Sequence, residues 1–120
     1  MNHNVVFEIP DELSLLEFFG VGPSESVPRD GYWSYDLTDE NNDTLNVSFN
    51  VLERSFQTIL YVRDREIARL LQEGAVKMFI TQVDDRAILT CKFEFENAES
   101  SLQIEVSPKI KLHLGTLVVE

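Results

Sequence analysis

A chain of 120 residues, 43% apolar and 26% charged, has the length and composition of one globular domain and not of a disordered segment. Its formal charge of −11 argues against nucleic acid as a partner, because a strongly anionic surface repels phosphate. Cys91 is the single cysteine, which excludes an intrachain disulfide and fits a reducing compartment.

The charge is unevenly placed. Residues 1–53 carry eleven acids against Arg29 alone, a net of −10; residues 54–120 carry ten acids against nine bases, a net of −1. The opening Met1-Asn2-His3-Asn4 lacks the basic, apolar, small-residue order of a secretory leader. No apolar run approaches the ~20 residues that span a bilayer. The expectation is a soluble, cytoplasmic protein, residues 1–120 forming a single domain with no membrane partner.

The first predicted element is a helix in "PDELSLLEFFG", residues 10–20. Asp11 can cap it, Gly20 can close it, and Leu13, Leu16 and Phe19, or Leu15 and Phe19, recur at helical spacing. At about two and a half turns it is marginal alone and must pack against something. "GVGPSES", residues 20–26, reads as the helix exit. It lacks the third glycine of a dinucleotide-binding loop and the Gly-Lys-Ser/Thr of a phosphate-binding loop.

"GYWSYDL", residues 31–37, predicts a strand with Trp33, Tyr35 and Leu37 on the core face and Tyr32, Ser34 and Asp36 on the other. "TDENND", residues 38–43, predicts a solvated hairpin loop rich in the Asn and Asp that turns favour. Asp39, Asn41 and Asp43 alternate like the first ligands of an EF-hand loop. Thr44 stands where that loop needs glycine, however, and Asn50 where it needs a bidentate glutamate, so no metal site is expected.

Period-two alternation continues through Leu45–Val51, Phe56–Val62, Val76–Ile80, Leu89–Phe95, Leu102–Val106 and Ile110–Leu114, seven strands with the first. Their links, such as "VDDR" and "NAESS", are too short for parallel crossovers. "DREIARLLQEG", residues 64–74, has helical propensity in Ile67, Leu70 and Leu71. A strand is favoured because almost no residues connect it to its neighbours. The fold class expected is α+β, mainly β: an antiparallel sheet or a two-layer β-sandwich of seven to eight strands with one short N-terminal helix.

Catalytic patterns are weak. Cys91 falls on the apolar phase of its strand and reads as a small buried hydrophobe. His3 and His113 share no ligand spacing with it, and there is no nucleophile elbow. Glu94 and Glu96 lie on a polar strand face where carboxylates stay ionised. The expectations are no catalytic residue, no metal, no cofactor and no enzyme.

The segment "DGYWSYDLTDENNDTLNVSFNVLERSFQT", residues 30–58, is similar to small acidic bacterial proteins of the polymorphic-toxin immunity type. The resemblance lies in size, charge, the N-terminal helix and this hairpin-like segment. It implies a cytosolic, β-rich protein that binds a cognate toxin and inhibits it by occlusion. From charge and exposure, the candidate partner-binding residues are Asp30, Tyr32, Asp36, Asp39, Glu40 and Asp43, an aromatic among acids that suits a basic protein partner such as a toxin domain. A small-molecule-binding β protein with an apolar cavity is the alternative, drawn from the apolar side chains on both faces near Ile59 and Tyr61. The chain itself is expected to be a monomer or a weak homodimer.

Overall fold

The computed structural model describes residues 6–118, and His3 lies outside them. The predicted helix forms as α1, Glu12–Phe19. The Asp11 side chain accepts the Ser14 N–H at 2.7 Å, and Gly20, left-handed at φ 75°, donates its N–H to the Leu16 carbonyl at 2.8 Å. The buried face is Leu15, Phe18 and Phe19, whereas Leu13 and Leu16 are exposed. Of the two predicted spacings, Leu15 with Phe19 is the buried one, and the triad of Leu13, Leu16 and Phe19 is corrected. Apolar residues cover most of this short helix, and the sheet it meets selects which of them are buried.

Nine strands follow among the described residues. Five form one antiparallel sheet in sequence order: β1 Glu25–Val27, β2 Tyr32–Thr38, β3 Thr44–Asn50, β4 Ser55–Val62 and β5 Arg65–Glu73. Four form the second, also in sequence order: β6 Ala75–Val83, β7 Arg86–Glu94, β8 Ala98–Glu105 and β9 Lys111–Val118. The mainly-β, antiparallel α+β expectation is correct, and residues 65–73 are a strand. β1 was not expected. A 3₁₀ turn, Pro28–Asp30, and the left-handed Gly31 fold this short segment back onto β2. β8 begins at Ala98, inside the stretch expected to be a link.

The inner faces of both sheets and α1 share one core. Phe49 on β3 is its centre. Its ring lies 6.5 Å from Phe7, 5.8 Å from Trp33, 6.3 Å from Tyr35 and 6.2 Å from Phe56. Phe56 reaches Phe93 of the second sheet at 6.3 Å, and Tyr35 stacks on Phe19 of α1 at 4.4 Å. The predicted core face of β2 holds for Tyr35 and Leu37. Trp33 is half-buried: it stacks on Phe49, and its indole N–H donates to Glu12 Oε1 at 3.3 Å.

Two bulges shift the strand phase. One between Ala75 and Lys77 sends Ala75 and Met78 inward and leaves Val76 only partly buried. The other lies where Leu60–Tyr61 meets Glu66–Ala68, and it leaves Ile67 without an opposite residue. At the tip of the second sheet, Phe95 lies beyond the end of β7 and is 46% exposed, although alternation put it on the core face.

Gly74 carries the chain from the first sheet to the second. It sits at φ 82°, and a Cβ there would lie 2.9 Å from the Glu94 carbonyl oxygen. That proximity is built in, because the Glu94 N–H donates to the Gly74 carbonyl at 3.0 Å. Gly74→Ala is expected to lower stability by about 1–3 kcal/mol from the left-handed backbone alone, read as a lower urea midpoint. Phe49→Ala, which leaves a cavity among four rings, is expected to cost about 3–5 kcal/mol. A loss under 1 kcal/mol at Phe49 would show that the ring is not central to the core.

Candidate functional site

Because the apolar phase of β2–β4 faces the core, the polar phase forms the outer surface of the first sheet. The register aligns Tyr32, Asn50, Ser55 and Glu73 in one row, and Ser34, Ser48, Gln57 and Leu71 in the next. Asp36, Asn46, Ile59 and Arg69 form the third row. Ser34 and Ser48 are small and sink below their neighbours, at 6% and 7% exposed. Asn46 stiffens this surface: its Nδ2 donates to Ser34 Oγ at 2.9 Å and Asp36 Oδ1 at 2.8 Å. Asp36 thus has an exposed carboxylate held by a fixed neighbour. Ile59, expected to make this face apolar, is only 7% exposed.

The six predicted residues do not form one patch. Asp30 and Tyr32 line a groove with Val27, Asn50, Leu52 and Glu53 at the start of β2. Asp39, Glu40 and Asp43 lie in the hairpin at its other end, and Asp36 lies between. Seven strand residues at about 3.3 Å each separate the two ends by roughly 23 Å. Asp39 and Glu40 share a second groove with Glu17 and Phe18 of α1 and Pro108. Glu53 and Glu17, which line these grooves, lie outside the contiguous 30–43 segment that the sequence singles out. The signal available for them was the net charge of the first half.

Asp39 differs from the other five. One of its carboxylate oxygens accepts the N–H groups of Asn41 at 2.9 Å and Asp43 at 3.0 Å, closing the β2–β3 turn. The other accepts the Ile110 N–H at 2.9 Å, tying this hairpin to the start of β9. Burial works to raise its pKa, but the N–H groups of Ile110, Asp43 and Asn41, together with the Lys109 charge, outweigh it and hold the carboxyl below its ordinary value.

Two salt bridges occur among the described residues, Arg69–Glu66 at 2.7 Å and Arg86–Glu105 at 3.4 Å, and neither involves the six. The outer face of the second sheet has a different character. Lys77 and Lys92 both lie over the Phe79 ring, at 5.7 and 5.8 Å. Cys91 is 1% exposed in the core, where burial pushes its thiol pKa far up and removes the thiolate a nucleophile needs. Between the sheets, where an apolar cavity was the alternative expectation, Phe49, Phe56, Phe93 and Leu89 fill the space, each at most 2% exposed.

No protein family and no curated protein matches this sequence. The fold, however, matches a chain of a solved contact-dependent growth inhibition toxin–immunity protein complex from Klebsiella pneumoniae 342. The TM-score is 0.87 at 19% identity, over 93% of this chain and 99% of that one. The two chains share a fold across nearly their whole lengths. Among the described residues no helix is long and apolar enough to cross a membrane.

The Asp39 bonds give a pH signature. The folded state binds fewer protons at Asp39 than the unfolded chain does. Its contribution is therefore complete above the ordinary aspartate value near 3.8 and is lost as pH falls through the lower folded value. Asp39→Ala is expected to lower the urea midpoint at pH 7 and to flatten the fall in stability below about pH 4. Equal pH profiles for the two proteins would show that the carboxylate bonds carry no stability.

Proposed function

We propose that this protein is a non-catalytic, cytoplasmic immunity-type protein that binds a basic toxin domain and neutralises it by occlusion. The observation that carries the reading is the likeness in fold to a chain of a toxin–immunity protein complex over nearly the full length of both chains. Charge supports the assignment to the inhibitor side. An acidic chain steers a cationic partner toward itself, and the carboxylates at residues 30, 36, 40 and 43 are not engaged in salt bridges among the described residues.

On this reading the residues of the docking surface take different roles. Tyr32 is half-buried beside Asp30 and Glu53, which suits an aromatic anchor seated against a partner. Asp36, Glu40 and Asp43 lie further along the sheet and hairpin and act as steering charges. Asp39 holds the hairpin in shape and contributes to binding through that shape.

The test takes the product of the reading frame directly upstream of this gene as the candidate toxin and follows binding kinetics at two salt concentrations. The triple variant Asp36→Lys, Glu40→Lys, Asp43→Lys is expected to slow association by about tenfold or more and to flatten the salt dependence. Tyr32→Ala is expected to act on dissociation, with about a fivefold loss or more. Circular dichroism checks that both variants fold. Tight binding that is indifferent to salt and to all four substitutions would remove this surface from the interface. Absence of any complex would remove the function.

A further inference from the structure

β5 ends the five-stranded sheet, and no described strand pairs with its far side. Such an edge offers a row of N–H and C=O groups to another strand. On this edge Leu71 is 61% exposed on the outer face and Ile67, at the bulge, is 58% exposed. The net charge near this edge does not oppose the approach of a second copy. Residues 54–74 carry Arg54, Arg63, Arg65 and Arg69 against Asp64, Glu66 and Glu73, a net of +1 on a chain of −11.

We propose that β5 pairs antiparallel with β5 of a second copy, about a two-fold axis through Leu71. This goes beyond toxin binding and does not depend on it. The sequence of β5 selects the register. Centred on Leu71, each Leu71 meets the other, and each Arg69 faces Glu73 of the second copy, an opposite-charge pair that the two-fold axis repeats. Centred on Leu70, Arg69 would face Leu71 and Ile67 would face Glu73. Centred on Arg69, two guanidinium groups would stand opposite each other, and the bulge at Ile67 would enter the pairing. Only the Leu71 register matches charge with charge, leaves the bulge outside and buries the exposed leucine. Arg69 has donors available for it: Nε and Nη2 bind Glu66 at 3.2 and 2.7 Å, and its other guanidinium nitrogen also carries N–H groups.

The dimer leaves the carboxylate surface open. β2 is three strands from β5, about 14 Å at the usual spacing, so two copies could each hold a partner.

The test is sedimentation velocity on the full chain alone, from micromolar to millimolar concentration. The mass is expected to rise with concentration from 13.8 kDa toward twice that value, and Leu71→Asp is expected to hold it at the monomer. Glu73→Arg, at an exposed position, is expected to weaken association about tenfold, and Glu73→Arg with Arg69→Glu to restore it. If Leu71→Asp does not fold, the charge exchange decides. A monomer at every concentration overturns the proposal, as does a dimer that ignores Leu71→Asp and Glu73→Arg. Hydrogen exchange that protects β5 only when a different protein is added would also overturn it, by assigning the edge to that protein's strand.

Discussion

The structure depends on the contact of Phe49 with the rings around it. Phe49 touches the N-terminal segment through Phe7 and β2 through Trp33 and Tyr35. Through Phe56 it reaches Phe93 in the second sheet. A short helix and two sheets with no disulfide are thereby fixed to one point. α1 is too short to persist alone, and the stacking of Phe19 on Tyr35 holds it in place. The same contact sets the polarity of the first sheet. With Tyr35, Leu37, Val47 and Phe49 turned inward, Asp36, Asn46 and Ser48 have only the outer surface left.

Much of this was legible in the sequence because the relevant signals are local. Asp11 and Gly20 cap a helix with groups no more than four residues away. Alternation around Tyr35, Phe49, Phe56 and Phe93 needs only the pleat of a strand. Residues 65–73 were decidable against their own helical propensity because too few residues join them to β4 and β6 for a helix to be inserted.

What was not legible depends on distant partners or on single-residue slips. β1 has three residues and no alternation to read, and it exists because Gly31 turns the chain back along β2. The bulge at Ala75–Lys77 moves burial from Val76 to Ala75, which no period can anticipate. The helix face is chosen by the sheet and not by spacing. In the candidate site, Tyr32 and Asp36 were assigned to the outer face correctly. The seven-residue length of β2, which divides the acids into two ends, could have been inferred from the strand boundaries. The bond from Ile110 N–H to Asp39 could not, since 71 residues separate the two.

Charge follows the same division of faces. α1 and β1–β3 carry Glu12, Glu17, Glu25 and Asp36 and no basic residue, β5 mixes both signs, and the second sheet presents Lys77 and Lys92 over Phe79. Internal salt bridges could have cancelled this contrast, but both of those described lie within the second half of the chain. No carboxylate of the first half is engaged in a salt bridge among the described residues. Asp36 lies on a surface that Asn46 keeps rigid, beside a hairpin whose shape Asp39 fixes through three backbone N–H groups. Rigid charges cost less to organise at binding than mobile ones, so under the proposed function the hydrogen bonds that look purely structural also favour association. Asp36, which steers under the proposed function, and Asp39, which shapes the hairpin, are three residues apart, and what separates them is which of the two the backbone has already claimed.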